Sequence, residues 1–203
     1  GCPKGGYTLA LFFDLVKLAS ASRMWGTNLV CYNEDTTCLH ERRPLSERER
    51  HVDAEEQPVN RIILTHEHTD FDGLASLLAA AKLHPGAVPV LPQQLNRNLR
   101  EFLAVYWDAL PFARREELPR RRVDEAILVD TQTAAPIKGM TERARLRIVD
   151  HHPLAVALRE GDTYSGEALG ATTTLLLEEV RQRAIAISPI EATLLLLGIY
   201  EDT

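Results

Sequence analysis

The chain has 203 residues, enough for one good-sized domain or for one domain with an appendage. Its apolar fraction of 45%, charged fraction of 26% and net charge of -6 are ordinary for a soluble globular protein. This charge gives no sign of a nucleic-acid-binding surface, although bound metal ions could supply positive charge locally. The 3 cysteines form no CxxC pair, which argues against a disulfide framework or a zinc knuckle.

Free thiols of this kind are typical of a reducing cytosol, so we expect a cytoplasmic protein. No run approaches the roughly 18–20 apolar residues that a membrane span requires, and we expect no membrane partner.

Residues 1–60 differ from the rest of the chain and are interpreted as an N-terminal extension or linker of uncertain structure. An amphipathic helix is plausible over Thr8–Ala21, and a charged run follows from Glu41 to Glu56. Nothing in this part carries recognisable chemistry. Because the chain starts at Gly1 and stops just after an apolar helix, we expect that further residues of the working protein are missing.

From Arg61 onward, short apolar runs alternate with helical patterns, which predicts an α/β domain over 61–203. The expected architecture is a mostly parallel sheet with helices on both faces. Pro89 suggests an edge position or a strand end for its strand. Ser188 and Glu191 form a capping box around a proline at the first helical position. The predicted strands are 62–64, 88–91, 126–129 and 146–149, and the predicted helices are 74–83, 93–107, 172–183 and 189–200.

Acidic and imidazole groups follow these strands at their carboxyl ends, where open parallel sheets bind ligands. A mixture of carboxylate and imidazole without thiolate suits a hard divalent ion such as Mn²⁺ or Mg²⁺. Two such ions about 4 Å apart would clamp a phosphoryl group and activate a water molecule. Asp130, alone on a central strand, is the natural bridge between them. The candidate groups are His66, Asp70, Asp72, Asp130, Asp150, His151, His152 and Asp202.

Each of these groups also has an ordinary structural interpretation. Asp130 could be a turn former, and Asp72 could cap the helix that follows it. The pair His151-His152 could lie on the surface without binding anything. His68 lies within the first cluster but is not counted among the metal ligands.

The motifs together resemble those of the DHH family of phosphoesterases, which includes RecJ-type exonucleases, oligoribonucleases, cyclic-dinucleotide phosphodiesterases and manganese pyrophosphatases. The first family motif matches His66, Asp70, Asp72, Gly73 and Ser76, and the second matches the Asp after an apolar strand at Val129-Asp130-Thr131. The naming motif matches Asp150-His151-His152, and the fourth matches the helix end at Asp202-Thr203. The stretch 170–174 resembles the segment between the third and fourth motifs.

This resemblance implies a role for each candidate residue. His66, Asp70 and Asp130 would hold one metal, and Asp72, Asp130, His151 and Asp202 would hold the other. His152 would contact the scissile phosphate, and Asp150 would orient its neighbours. The implied reaction is hydrolysis of a phosphodiester or phosphoanhydride in a nucleotide or short oligonucleotide by a metal-bridging hydroxide, with two Mn²⁺ ions preferred and Mg²⁺ possible.

The chain departs from the family at positions 68, often Asn but here His, and 69, often Pro but here Thr. We also expect that the second domain of this family, which supplies basic residues for gripping substrate, is among the missing residues of the working protein. The sequence around His66 and Asp202 is most similar to that of a bacterial subgroup in which the DHH module precedes CBS domains and a tRNA nucleotidyltransferase. In that context the chain could be an accessory nucleotide- or tRNA-binding module of a CCA- or A-adding enzyme.

A metallo-β-lactamase-like hydrolase is the lesser alternative, because Thr65-His66-Glu67-His68-Thr69-Asp70 fits the start of its motif. That family needs a histidine where this chain has Phe71. It would also leave Asp72, Asp130 and Asp202 without a role.

Overall fold

A computed structural model describes residues 60–203 of the chain. The predicted extension, including the proposed helix over Thr8–Ala21, lies outside the described residues apart from position 60.

The centre of the domain is a five-stranded sheet in the order β2-β1-β3-β4-β5, in which every neighbouring pair is parallel. The prediction of an α/β fold with a mostly parallel sheet is confirmed. Pro89 lies in the edge strand, as its missing N–H group predicts. The strands are β1 (Arg61–Leu64), β2 (Val88–Pro89), β3 (Glu125–Val129), β4 (Arg145–Val149) and β5 (Thr163–Ser165).

Three of the four α-helices begin at a residue whose side chain caps the helix. Asp70 caps α1 by accepting a hydrogen bond from Gly73 N, so the helix begins before the predicted Leu74. Asn96 caps α2 in the same way, so this helix begins later than the predicted Gln93. The predicted capping box at Ser188 opens α4. The helices are α1 (Phe71–Leu83), α2 (Arg97–Tyr106), α3 (Thr172–Gln182) and α4 (Pro189–Asp202), with short 3-10 turns at Trp107–Ala109 and Arg115–Glu117.

Alternation along the strands divides the core between the two faces of the sheet. Ile63 and Ile127 belong to a cluster that contains buried apolar residues of all four α-helices. Ile62 and Leu128 belong to a second cluster, whose other members come from strands and from connecting segments of the described part of the chain. The prediction of helices on both faces is not met within residues 60–203, because connecting segments such as the one around Ile137 cover this second face there.

Helix α4 packs closely on α1, and Gly198 permits the approach. A Cβ at this position would lie 2.6 Å from Ala75 Cβ and 2.8 Å from Phe71 O. Near the same crossing, Phe71 N donates a hydrogen bond of 2.6 Å to Glu201 Oε2. The carboxyl end of α4 is therefore fixed beside the first turn of α1. Within residues 60–203, no helix has the length and apolar character needed to cross a bilayer.

Candidate metal centre

The candidate residues converge at one edge of the sheet because their strands are parallel neighbours. Strands β1, β3 and β4 lie side by side, so the segments that follow them leave the sheet together. These segments carry His66, Asp130 and the run 150–152, while the packing of α4 brings Asp202 to the same place. Three groups of side chains there have potential ligand atoms within 4.8 Å of one another.

The first group contains His66, Asp70 and Asp130. His66 Nε2 lies 3.3 Å from Asp130 Oδ2 and 4.0 Å from Asp70 Oδ1. Asp70 therefore serves as the helix cap of α1 while its carboxylate also faces the cluster. The set of one imidazole and two carboxylates matches the first of the two predicted ligand sets.

The second group contains Asp72, His151 and Asp202. His151 Nε2 lies 3.6 Å from Asp202 Oδ2 and 3.7 Å from Asp130 Oδ1. A third grouping joins Asp130 with Asp150, His151 and His152. Three of the four residues of the second predicted ligand set thus lie together, and the fourth, Asp130, contacts the set through His151.

Asp130 lies between His66 and His151, because its two carboxylate oxygens face different imidazoles. Oδ2 faces His66, and Oδ1 faces His151. The residue has a φ of 55°, in the left-handed region that aspartate tolerates better than most side chains. Its backbone N–H donates to Val149 O at 3.0 Å, which ties this unusual conformation to the end of β4.

Both imidazoles direct Nε2 toward carboxylates. His66 Nδ1 lies 2.9 Å from Glu67 O, and His151 Nδ1 lies 3.0 Å from Leu169 O. A carbonyl oxygen can only accept, so each Nδ1 carries a proton and each ring is held with Nε2 facing the carboxylates. His151 Nε2 is buried without a hydrogen-bond partner in the described part of the chain. An Nε2 atom surrounded by carboxylate oxygens fits a site in which a cation would lie between them.

Crowding of the carboxylates raises proton affinity in this cluster. Burial, followed by repulsion from Asp130, raises the pKa of Asp72 to about 6. Burial, then Asp70 and Asp130, also raises the pKa of Asp202. The hydrogen bond with Asp130 raises the pKa of His66 to about 9 against the opposing effect of burial. The cluster thus holds excess negative charge that divalent cations would neutralise.

The amino end of α3 supports the buried part of the cluster. Asp72 is completely buried, and its two oxygens accept hydrogen bonds of 2.8 Å from Thr172 N and Thr173 N. The Thr172 hydroxyl donates to Asp130 Oδ1 at 3.0 Å and accepts from His151 N at 3.2 Å. Thr172 therefore contacts both Asp130 and His151. Asp72 does not cap the helix that contains it, because Asp70 does so.

A scan against protein-family models matches residues 60–199 to the DHH family, N-terminal domain. The chain belongs to the DHH family. The match decides against the metallo-β-lactamase alternative, and Phe71 instead packs its ring edge-on against Phe102, with ring centroids 5.7 Å apart.

Similar proteins include two enzymes named A-adding tRNA nucleotidyltransferase. The chain is 36% identical over 152 residues to the one from Geobacter sulfurreducens and 35% identical over 144 residues to the one from Aquifex aeolicus. In each case the match covers 70% of this chain and 17% of the relative, so the chain spans about a sixth of their length.

Two further relatives are named for pyrophosphate chemistry. A Listeria welshimeri protein, named a probable manganese-dependent inorganic pyrophosphatase, is 30% identical over 151 residues, with 70% of this chain and 47% of the relative covered. Among solved structures, a Methanococcus jannaschii protein whose name assigns it to the family II inorganic pyrophosphatases matches with a TM-score of 0.56 and 25% identity. That match covers 70% of this chain and 48% of the other.

The naming motif of this DHH domain places one histidine inward and one outward. Asp150 is buried, and its Oδ1 accepts from His152 N at 3.1 Å and from His152 Nδ1 at 2.9 Å, while Oδ2 accepts from Gln132 Nε2 at 2.8 Å. Burial acts to raise the pKa of Asp150, but the hydrogen bonds from His152 and Gln132 outweigh it and hold the pKa below its usual value. The hydrogen bond to Asp150 in turn raises the pKa of His152, whose side chain is 63% exposed.

Several residues of this neighbourhood were not singled out from the sequence. Gln132 contacts Asp150, 18 positions away, and Arg115 contacts Glu67, 48 positions away. No local sequence pattern indicates either contact. Glu67 also accepts from Gln93 N at 3.1 Å, which ties the loop after β1 to the segment before α2. Thr172 had a signal in its likeness to a family segment. His68 has a φ of 61° and belongs to none of the three ligand groups in residues 60–203.

Proposed function

We propose that this DHH domain is a metal-dependent phosphoesterase centre that holds two divalent ions, with Mn²⁺ preferred and Mg²⁺ possible. The observation that carries the proposal is the position of Asp130, whose two oxygens face His66 and His151 separately. One ion would be held by His66, Asp70 and Asp130. The other would be held by Asp72, Asp130, His151 and Asp202.

When bound, such ions supply Lewis acidity that stabilises charge on phosphoryl oxygens and lowers the pKa of water. The chain's own contribution is orientation. Asp150 fixes the His152 ring through Nδ1, which leaves Nε2 directed away from that hydrogen bond. The raised pKa favours a cationic imidazole, so Nε2–H can donate to an oxygen of the scissile phosphate.

The proposed substrate is a phosphodiester or phosphoanhydride of the nucleotide or short-oligonucleotide class. Some relatives are named for nucleotidyl transfer to tRNA and others for hydrolysis of inorganic pyrophosphate. Both names refer to reactions of phosphate compounds, which supports this substrate class. The acidic net charge of -6 also makes bound metal the natural source of positive charge at the site.

Metal counting separates the two ligand sets. We expect the purified chain to retain two Mn²⁺ ions by ICP-MS, Asp130→Ala to lose both, and Asp202→Ala to lose or weaken only one. Asp108→Ala, which removes an exposed acid from the 3-10 turn after α2, is the control and should keep both ions. Equal metal content in Asp130→Ala and the control would contradict the shared-ligand geometry.

Activity is then measured as Mn²⁺-dependent hydrolysis of bis(p-nitrophenyl) phosphate, the dinucleotide pApA and pyrophosphate. Turnover that disappears in Asp130→Ala and falls in His152→Gln, with metals retained in the latter, is the expected result. Turnover that is unchanged in both variants would refute the proposal.

A second candidate is an accessory module that binds nucleotide or tRNA for an A-adding nucleotidyltransferase. The 36% identity to such an enzyme over 70% of this chain favours it. Manganese binding without turnover of any of the three phosphate compounds, together with measurable tRNA binding, would select this candidate.

A further inference from the structure

Two cavities lie next to each other beside the candidate metal centre. The near cavity, of about 520 Å³, is lined by His66 and by Thr65 and Thr131 of the adjoining strand ends. The second, of about 500 Å³, is called the arginine cavity and is lined by Arg100, Trp107, Arg114, Arg115, Leu95 and Leu103, among others. Gln93 and Arg115 line both, so the two cavities are adjoining parts of one depression that begins at His66.

The arginine cavity has positive charge and a flat surface. Three arginines line it against one acidic side chain, Glu116. Arg115 is paired with Glu67, so its charge is largely neutralised. The Arg114 guanidinium lies over the Trp107 ring, 4.7 Å from its centroid, which holds the guanidinium plane in a defined orientation. Arg100 is exposed at the same cavity.

Apart from Gln93, the remaining lining of the arginine cavity is apolar, with Leu91, Leu95 and Leu103 forming part of its wall. Inorganic pyrophosphate has no apolar part to bury against such a wall. A nucleobase does, and bases stack on aromatic rings and on guanidinium planes. Exposed arginines beside a stacking surface are the combination that binds single-stranded nucleic acid.

We propose that the arginine cavity binds the nucleotide next to the scissile phosphate of a short single-stranded oligonucleotide. Arg100 and Arg114 contact the flanking phosphate, and the base stacks on the Arg114–Trp107 pair. The near cavity, with its threonine hydroxyls and the amides of Gln93 and Gln94, accommodates the nucleoside attached to the scissile phosphate. This inference rests on the proposed function for its scissile phosphate, and it narrows the substrate to compounds with at least two nucleotides.

Tryptophan fluorescence tests the proposal without any catalysis. The chain contains 2 tryptophans, Trp25 and Trp107, so Trp25→Phe leaves Trp107 as the single reporter. This variant is titrated in EDTA with pApA, AMP and pyrophosphate. We expect pApA to change the Trp107 emission and to bind about tenfold more tightly than AMP, which is the gain in affinity expected from the stacking of one additional base. Pyrophosphate should leave the emission unchanged.

Charge-removing variants locate the phosphate contacts. Arg100→Gln and Arg114→Gln, each made in the Trp25→Phe background, should weaken pApA binding several-fold and lower its salt dependence by about 0.7 in log–log slope. Arg143→Gln is the control, since it removes an exposed arginine just before β4, at the opposite end of the strands. The Mn²⁺ stoichiometry should be two in all of them.

Equal affinity for AMP and pApA, pApA binding without a change in Trp107 emission, or wild-type binding by the Arg100→Gln, Arg114→Gln double variant would overturn the proposal. Because these titrations contain no metal, they can succeed where the phosphoesterase proposal fails. Hydrolysis of pyrophosphate with no oligonucleotide binding would leave the phosphoesterase intact and remove this inference.

Discussion

Thr172 offers a sharp test of how the candidate metal centre is held, because one hydroxyl joins two predicted ligands. Its Oγ1 donates to Asp130 Oδ1 at 3.0 Å and accepts from His151 N at 3.2 Å, and the residue is completely buried. Thr172→Val keeps the shape of the side chain and removes both hydrogen bonds. Thr172→Ser keeps the hydroxyl and should behave like the unmodified chain.

The expected size of the effect follows from the burial of both partners. A hydrogen bond to a charged group contributes about 1.5–3 kcal/mol, and a buried N–H left without a partner costs about 1–3 kcal/mol. Loss of a hydrogen bond that orients a metal ligand typically lowers metal affinity about 10- to 100-fold. Because Asp130 belongs to both proposed ligand sets, we expect Thr172→Val to weaken the binding of both Mn²⁺ ions by this amount. The free energy of unfolding of the metal-free chain should fall by about 1–3 kcal/mol.

Isothermal titration with Mn²⁺ measures the affinity, and urea unfolding in EDTA measures the stability. Thr174→Val is the matched control, since it makes the same substitution in the first turn of the same helix. If Thr172→Val binds two Mn²⁺ ions with unchanged affinity while its stability falls, the hydroxyl supports the fold alone and the positioning role is refuted.

Three further predictions concern pH, packing and capping. The pKa of His66 is raised to about 9 by its hydrogen bond with Asp130, so this bond stabilises the metal-free fold below about pH 6.5 and the contribution is lost as the pH rises through 9. Mn²⁺ must displace the proton of His66, so the affinity of the chain for Mn²⁺ should increase about tenfold per pH unit up to pH 9. Below about pH 6 the increase should be steeper, because Asp72 is also protonated there. A Mn²⁺ affinity that does not change with pH would contradict the assignment of His66 as a ligand. Gly198→Ala places a methyl group 2.6 Å from Ala75 Cβ and 2.8 Å from Phe71 O. It should lower the free energy of unfolding by about 1–3 kcal/mol and weaken binding of the ion that Asp202 is proposed to hold. Thermal melts and Mn²⁺ titration measure the two effects, and Ala192→Gly is the comparison variant at another buried position of α4. Ser188→Ala removes the cap of α4 and should cost about 1 kcal/mol in thermal unfolding while leaving Mn²⁺ stoichiometry at two, whereas loss of metal would show that the amino end of α4 is coupled to the site.

The features of this structure that could be predicted from the sequence are those that depend on local sequence patterns. The apolar runs at 62–64 and 126–129 are buried parallel strands, and an acidic or histidine residue follows each at the carboxyl edge. Parallel order then determines that His66 and Asp130 meet, because β1 and β3 are neighbours. The Ser188 capping box was equally local and is confirmed.

The features that sequence reasoning missed depend on contacts between distant segments. Strand β5 is a short, largely exposed run, Thr163–Ser165, with no apolar signature, and it becomes a strand by pairing with β4. Helix α1 begins before the predicted residue because Asp70, which was interpreted only as a candidate ligand, also caps the helix. The assignment of a residue as a ligand does not by itself indicate where a helix begins. The hydrogen bonds of Thr172 span 42 and 21 positions, so only the fold reveals that one hydroxyl contacts two candidate ligands.

The two ligand sets are supported to different degrees, and α3 explains the difference. Its first N–H groups donate to both oxygens of Asp72, so the positive end of the helix dipole offsets the charge of a completely buried carboxylate. The same turn supplies the Thr172 hydroxyl to Asp130 and His151. His66 and Asp70, by contrast, have side chains that are 33% and 35% exposed, and each is tied by local hydrogen bonds. The Asp72 side of the proposed centre is therefore pre-organised by buried helix-end contacts, whereas the His66 side would depend more on a bound cation for its geometry.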